Sequence, residues 1–294
     1  MIDKYGHFLI NITQEKAGGG WADRHGVGTG IVSDSPLLGP KDIAPVMVER
    51  PEASGEVVLV CEHASKLMPV RLGSLGLDAA ALESHIAWDI GALAVARRLS
   101  DALDAPLVAQ AYSRLAYDCN RPPESPAAIP EKSEIYIVPG NAGLTGPERQ
   151  ARVEALYDPF HAALEGLLDR RAALGQSTVL VTVHSFTPVY FGESRDGHLG
   201  VLHDTDASFA DRVLSAAAES GLDLVRRNYP YSSADGVTHT LRRHAITRGL
   251  PNVMLEIRND LIADEAGQEK WAVLVADLIR KAVDAGREGE RLHA

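Results

Sequence analysis

Apolar residues fall into short runs that alternate with longer amphipathic stretches from residue 56 onward. Short runs of aliphatic and β-branched residues are typical of buried strands, and the stretches between them are long enough for helices. The pattern predicts strands at 57–62, 106–112, 178–183, 199–203, 222–226 and 252–257. It predicts helices at 78–103, 146–173, 206–220, 235–249 and 267–285. This alternation favours an α/β protein with a mostly parallel sheet covered by helices on both faces.

The first 50 residues do not follow this pattern. "AGGGWADRHGVGTG" is rich in glycine, and "DSPLLGPKDIAP" is interrupted by proline. Such segments rarely form regular elements, so we expect an irregular N-terminal arm over 1–50. Residues 51–294 then form a single α/β domain.

Composition and charge narrow the class of partner. The net charge of −11 argues against a nucleic-acid-binding surface, which needs excess positive charge. Two cysteines are too few for a disulfide framework, and the N-terminus lacks the apolar segment of a signal peptide. No apolar run approaches the roughly 20 residues of a membrane helix. We therefore expect a cytoplasmic protein that binds neither nucleic acid nor membrane and acts on a small molecule.

Two of the predicted strands end in histidine. "EVVLVCEHAS" leads into His63, and "STVLVTVHSF" leads into His184 followed by Ser185. Ligands of open α/β sheets collect at the carboxyl ends of the strands, where Glu256 in "NVMLEIRND" also falls. Residues from three distant segments are therefore expected to converge there, with Ser185 beginning a loop.

A catalytic zinc site needs three protein ligands and an open position for water. His63 and His184 can supply two, and "SHIAWDIGALAVARRL" offers His85 and Asp89 for the third. On a helix these two residues would share a face. Asp89 is the favoured ligand, with His85 beside the metal or the substrate, and the reverse assignment stays open. Glu62 precedes His63, and strand alternation would send it to the opposite side.

Further residues suit amide hydrolysis at such a centre. Glu256 lies at the end of an apolar strand, where burial would raise its pKa and suit it to be a general base. Alternation puts Arg258 on the same side, as a substrate contact or as an ion-pair partner of Glu256. In "AYSRLAYDCNRPP", Arg114 can stabilise an oxyanion, while Asn120 and Arg121 can bind a substrate carboxylate.

The chain resembles the N-formylglutamate amidohydrolase family of zinc-carboxypeptidase-like hydrolases. The resemblance covers about residues 56 to 263, in the ordered motifs "CEHAS", "HIAWDIGA", "SRLAYDCNRP", "TVHSFTP", "GVLHDTD", "NYPYS" and "EIRNDLI". It implies a three-layer α/β/α sandwich with a mixed, eight-stranded sheet and one Zn²⁺. By position it implies metal ligands His63, Asp89 and His184, the base Glu256, the oxyanion residue Arg114 and the carboxylate clamp Asn120 with Arg121. "NYPYS" adds Tyr231 near the substrate.

The implied reaction is hydrolysis of a small carboxylate-bearing N-acyl amino acid. N-formyl-L-glutamate is the first candidate, giving formate and L-glutamate as in histidine degradation. Another N-acyl amino acid or a muramoyl-alanine amide is an alternative substrate, although the lack of a secretion signal counts against the latter. A non-catalytic, metal-containing binding protein is a further alternative, against which the presence of Glu256 counts.

Overall fold

The apolar runs form the strands of one mixed sheet, seen in a computed structural model that describes residues 37–293. The strands are β1 (Val46–Glu49), β2 (Val57–Cys61), β3 (Leu107–Gln110), β4 (Lys132–Ser133), β5 (Tyr136–Ile137), β6 (Val179–Phe186), β7 (Val189–Tyr190), β8 (Glu193–Ser194), β9 (Leu199–Leu202), β10 (Val225–Arg227) and β11 (Asn252–Arg258). Seven of them form the main sheet in the order β1-β3-β2-β6-β11-β9-β10. The pairs β4-β5 and β7-β8 are separate two-stranded ribbons.

The sheet is mostly parallel. β3, β2, β6 and β11 run in the same direction, whereas β1 pairs antiparallel with β3, and β9 pairs antiparallel with β11. Every residue of β2 and β6 is buried, as expected of central parallel strands that are covered on both faces.

Helices cover the sheet on both sides. They are α1 (Ala79–Glu83), α2 (Ala92–Leu103), α3 (Gly146–Arg152), α4 (Asp158–Ala173), α5 (Ser208–Glu219) and α6 (Glu265–His293). On one face α2, α5 and α6 pack against residues such as Val181 and Leu255. On the other face α4 packs against the alternate residues of the same strands, such as Leu180 and Met254. The expected α/β/α sandwich with a mixed, mostly parallel sheet is confirmed.

The helix predicted over 78–103 is wrong between α1 and α2. Ser84 is extended, with ψ of 171°, and Gly91 has a φ of 80°. A Cβ on Gly91 would lie 2.3 Å from the carbonyl oxygen of Ile262, so the chain passes too close there for any side chain. The segment that carries His85 and Asp89 is therefore not helical, and the two residues do not share a helix face.

The helix predicted over 235–249 is only partly correct, since the chain is continuously helical over 239–248 alone. A 3-10 turn at Ser233–Asp235 precedes it, and the helical stretch itself includes a π-helical turn at Leu241–Ala245 and a 3-10 turn at Ile246–Arg248. Gly236 and Gly249 have φ values of 68° and 66°, which end helical segments.

The expected N-terminal arm is described only from residue 37. Residues 1–36 of that arm lie outside the described residues. Residues Val46–Glu49 form the edge strand β1 and were not predicted to be regular. The implied count of eight strands is not met, since the main sheet has seven in the described part of the chain. No helix of that part is both long and apolar enough to cross a membrane.

Candidate active site

A cavity of about 440 Å³ opens at the carboxyl ends of the central parallel strands. Its walls include nine of the ten residues that the sequence singled out: His63, His85, Asp89, Arg114, Asn120, Arg121, His184, Tyr231 and Glu256. The tenth, Arg258, is not part of the wall. The structure therefore brings residues from six distant segments together, among them His63, His184 and Glu256, whose convergence the topology predicted.

Sheet register aligns three acidic or imidazole side chains across neighbouring strands. Glu256 on β11 is the direct partner of His184 on β6. Val60 on β2 is the partner of Thr182, so Glu62, two residues further on, follows in line with His184. Side chains two residues apart share a face, so the row lies on the face covered by α4. His184 and Ser185 lie within β6, which extends to Phe186, so the prediction that Ser185 begins a loop is wrong.

Backbone contacts bring Asp89 to the two histidines. The Asp89 amide donates to the carbonyl of His63 over 2.9 Å, which ties the segment before α2 to the end of β2. The Ser185 amide donates to Asp89 Oδ2 over 3.2 Å, and the Ser185 hydroxyl donates to the Ile90 carbonyl over 2.8 Å. Asp89 is thus held between two strand ends by contacts on both sides.

His63, Asp89 and His184 present one ligand atom each to a common point. Asp89 Oδ2 lies 2.9 Å from His184 Nδ1 and 3.4 Å from His63 Nδ1, and the two Nδ1 atoms are 3.2 Å apart. A tetrahedral zinc with bonds of about 2.0–2.1 Å would separate its ligand atoms by about 3.3 Å. The spacing of the three atoms therefore fits a small divalent cation. Within residues 37–293, these three residues form the candidate metal centre. His85 is not among them.

Two carboxylates lie behind the histidines. Asp118 Oδ1 is 2.7 Å from His63 Nε2, and Glu62 Oε2 is 3.1 Å from His184 Nε2. Carboxylates in this position fix the ring orientation of a metal-bound histidine and increase its basicity. The sequence analysis assigned a role to neither residue. Asp118 lies between Arg114 and Asn120 in the motif "AYSRLAYDCNRPP", and this position could have indicated that it belongs to the site.

The charges at this point call for a cation. Four carboxylates, those of Glu62, Asp89, Asp118 and Glu256, lie in or directly behind this part of the cavity, and among the described residues Arg114 is the arginine that pairs with two of them. Such an excess of buried negative charge is costly unless positive charge accompanies it. A divalent cation bound by the histidines would supply that charge.

The pKa values follow from this arrangement. Burial would raise the pKa of Asp89, but the neighbouring His63 and His184 outweigh burial and hold it well below its usual range. Burial would lower the pKa of His184, but Glu62 and Asp89 raise it well above the ordinary value. The same carboxylates that attract a proton to His184 would favour a metal ion in its place.

Glu256 is a carboxylate of the cavity wall with an unpartnered oxygen. Its side chain is buried, and Oε2 has no hydrogen-bond partner within the described residues. Burial raises the pKa of Glu256 to about 7, with Asp89 adding to the rise and His184 opposing it. Arg258 does not pair with Glu256 and instead donates to Asp260 Oδ1 over 2.7 Å. A carboxyl group with these properties is suited to accept and release a proton near neutral pH.

Arg114 is held by two acids of the centre. Its Nη2 donates to Asp118 Oδ2 over 2.9 Å, and its Nη1 lies 3.4 Å from Asp89 Oδ1. Asn120 is buried: its side-chain oxygen accepts from the Thr240 amide, and its nitrogen donates to the Val237 carbonyl. These two hydrogen bonds fix the cavity wall, and one amide hydrogen of Asn120 is left for a ligand.

The remaining predicted residues, His85 and Tyr231, make contacts outside the group of His63, Asp89 and His184. His85 Nε2 is 3.1 Å from Glu134 Oε2, and burial lowers the pKa of His85. Tyr231 accepts a hydrogen bond from Arg195 at its hydroxyl over 3.1 Å, and burial raises its pKa to about 12. Arg195 also lines the cavity and was not predicted.

Comparison with known proteins places the chain in a family. The model of the N-formylglutamate amidohydrolase family matches residues 55–263. The chain belongs to this family. The resemblance seen in the sequence is thereby confirmed, and with it the assignment of the chain as an amide hydrolase.

Solved structures of similar proteins have the same fold. A gene product of Agrobacterium tumefaciens is 53% identical, and the match covers 85% of this chain and 99% of that one with a TM-score of 0.83. N-formylglutamate amidohydrolase from Ralstonia eutropha JMP134 is 20% identical, with coverage of 84% and 100% and a TM-score of 0.61. No curated protein matches the chain.

Proposed function

We propose that the protein is a zinc-dependent amidohydrolase that cleaves N-formyl-L-glutamate into formate and L-glutamate. The observation that carries the proposal is the convergence of three ligand atoms of His63, Asp89 and His184 with the unpartnered carboxyl of Glu256 in one cavity. Membership of the family supports the substrate, and the arginines of the cavity wall suit its carboxylates.

Zinc is the proposed metal because of the donor set. Two imidazole nitrogens and one carboxylate oxygen, with spacings close to a tetrahedron edge, are ligands that zinc accepts readily. Zinc bound to these atoms would lower the pKa of a water molecule and polarise the substrate carbonyl. Asp118 hydrogen-bonds to Nε2 of His63, and Glu62 Oε2 lies 3.1 Å from Nε2 of His184, so that Nδ1 of each ring faces the centre.

Glu256 moves the proton in the proposed reaction. Its free Oε2 accepts a proton from the attacking water and then donates it to the nitrogen of the departing amino acid. A pKa near 7 allows both transfers at neutral pH, since the carboxyl group can exist in either state. This group starts the reaction ionised and returns to that state when the amine leaves.

Arg114 and Arg121 act on the substrate in the proposal. The guanidinium of Arg114 is held by Asp89 and Asp118 beside the metal ligands, where it stabilises negative charge that develops on the carbonyl oxygen. Arg121 lines the same cavity and binds the α-carboxylate, next to the spare amide hydrogen of Asn120.

The test is release of formate from N-formyl-L-glutamate by zinc-loaded protein, run beside Glu256→Gln and His184→Ala. Glu256→Gln is expected to keep the metal and lose activity, whereas His184→Ala is expected to lose the metal. Elemental analysis of the protein as purified identifies the metal that it carries.

Other outcomes would refute parts of the proposal. Full zinc occupancy in His184→Ala would refute the ligand assignment. Unchanged turnover in Glu256→Gln would refute the base assignment. If zinc-loaded protein releases no formate, a panel of other N-acyl amino acids decides the substrate, and failure on N-formyl-L-glutamate alone refutes the specificity proposed here.

A further inference from the structure

Arginines of the cavity differ in how they are neutralised. Arg114 contacts two carboxylates, Asp89 and Asp118. Within residues 37–293, neither Arg121 nor Arg195 has a carboxylate within 4.0 Å of its guanidinium nitrogens. Arg121 donates to the backbone carbonyl of Asn120, and Arg195 donates to the hydroxyl of Tyr231. Two guanidinium groups in one cavity thus lack an acidic partner from the described protein.

The guanidinium of Arg195 is held between aromatic rings. Its Cζ lies 4.2 Å from the centre of the Tyr190 ring and 4.9 Å from that of Tyr231. Such cation–π contacts favour the charged guanidinium and leave its N–H groups to bond in the plane. Because one of them donates to Tyr231, the others are available to a planar acceptor in the cavity.

The backbone of Arg195 is fixed as well. Its amide donates to the carbonyl of Pro188 over 2.8 Å, which closes the ribbon of β7 and β8. Arg258 Nη1 lies 3.4 Å from the carbonyl oxygen of Arg195 and donates to that of Asp196 over 3.2 Å. Arg258 is therefore a positioning residue: it connects the end of β11, two residues beyond Glu256, to the segment that carries Arg195.

We propose that Arg195, held by Tyr190 and Tyr231, binds the side-chain carboxylate of a dicarboxylic N-acyl amino acid and so selects glutamate-type over glutamine-type substrates. The inference rests on the proposed function, in which Arg121 binds the α-carboxylate. A carboxylate accepts two parallel N–H bonds from a guanidinium, and a carboxamide of the same size accepts only at its oxygen and carries no charge. Arg195 therefore determines specificity without contacting the atoms that react.

The experiment compares N-formyl-L-glutamate with N-formyl-L-glutamine, which differ only in the terminal group. In the zinc-loaded protein, Arg195→Gln is expected to lower kcat/KM for the glutamate substrate by about 10- to 100-fold, mostly through KM. The same variant is expected to change kcat/KM for the glutamine substrate by less than about threefold. Arg195→Lys keeps the charge without the planar fork and should restore part of the preference.

Arg226→Gln is the matched control. Arg226 also stacks on a tyrosine, with its Cζ 5.2 Å from the ring centre of Tyr229, but it pairs with the exposed Asp196 and does not line the cavity. This variant should leave both substrates unaffected. Equal losses for both substrates in Arg195→Gln would overturn the proposal, because they would place Arg195 at the shared α-carboxylate.

A binding measurement separates this inference from the proposed function. Calorimetry on zinc-loaded Glu256→Gln protein, with and without Arg195→Gln, gives the Kd of each compound without turnover. A tenfold or greater preference for N-formyl-L-glutamate that Arg195→Gln removes would support the inference even if the unmutated protein hydrolyses neither compound. Equal affinities for the two compounds before Arg195 is changed would overturn it, whatever the result for hydrolysis.

Discussion

Acidification from pH 7 to pH 5 should lower the free energy of unfolding by about 4 kcal/mol through one buried pair of histidines. His161 on α4 and His244 in the turn Leu241–Ala245 are both fully buried. His161 Nε2 is 2.9 Å from the carbonyl oxygen of Cys119, and its Nδ1 is 2.7 Å from His244 Nε2. The arrangement is satisfied when both rings are neutral, with His244 donating to His161 and His161 donating to Cys119.

A proton on either ring is unfavourable. On His161 it would place two N–H groups against each other, and on His244 it would fall on Nδ1, which has no partner within the described residues. Burial lowers the pKa of His161 to about 2 and that of His244 to about 3. The unfolded chain, with histidine pKa values of about 6.5, therefore binds more protons below pH 6.5 than the folded chain.

The sign and the size follow from that difference. Stability from the pair is fully present above pH 6.5 and falls as the pH decreases toward the folded pKa values. Each histidine whose folded pKa lies far below 5 contributes a loss of about 1.9 kcal/mol between pH 7 and pH 5, or about 4 kcal/mol for two. Total stabilities of domains are about 5–15 kcal/mol, so the effect is large enough to measure.

Urea unfolding of metal-free protein at pH 7, 6 and 5 provides the assay, with His244→Leu as the test variant. His244→Leu is expected to be less stable at pH 7, but its loss between pH 7 and pH 5 should be about 2 kcal/mol smaller than that of the unmutated chain. Leu164→Ala on α4 is the control, because it removes a buried group that does not titrate. If His244→Leu loses as much stability on acidification as Leu164→Ala does, the reasoning about the pair is refuted.

Other changes test the centre and the packing around it. Glu256→Gln should lower kcat at least about 100-fold while elemental analysis finds the metal retained. Glu62→Gln should weaken metal binding about 10- to 100-fold in a chelator competition, and unchanged affinity would contradict its role behind the histidine ring. Gly200→Ala should cost at least about 1–3 kcal/mol, because its Cβ would lie 1.6 Å from the carbonyl oxygen of Tyr229. Gly166→Ala, on open helix surface, should instead raise the melting temperature slightly.

The sequence predicted the strands of the site well because their composition is unambiguous. β2, β6 and β11 are continuous apolar runs, and the observed bounds differ from the predicted ones by at most three residues. Since parallel strands end at one edge, the convergence of His63, His184 and Glu256 followed from the order of strands and helices. The roles of these residues as metal ligands and base stay predictions.

Errors arose where tertiary contacts decide the local conformation. Apolar periodicity continues through 84–91, yet this segment is not helical. The carbonyl of Ile262 lies close to Gly91, and the amide of Ser185 donates a hydrogen bond to Asp89. Gly91 itself was the available sign of a break. Glu62 was set aside by strand alternation; the same alternation, combined with the register of β2 and β6, puts it behind His184.

Arg258 shows a different limit of sequence reasoning. Alternation along β11 placed Arg258 near Glu256, which is correct for the backbone. Its long side chain, however, extends to Asp260 and to the carbonyl groups of Arg195 and Asp196. Side chains of this length are positioned by their acceptors, which the sequence does not reveal. Arg195 was missed for a related reason, since it stands in a loop without a pattern that marks it.

The proposed metal centre would report on assembly of the chain. His63 follows β2, His184 lies on β6 and Asp89 precedes α2, so the three ligand atoms meet only after β2 and β6 have paired in the native register. A slip of one residue in β6 would turn His184 to the opposite layer and abolish the binding point. A metal bound at the proposed centre should therefore favour the folded chain, raise the midpoint of unfolding in proportion to the logarithm of the metal concentration, and bind during refolding only after β2 and β6 have paired, as a stopped-flow trace can show.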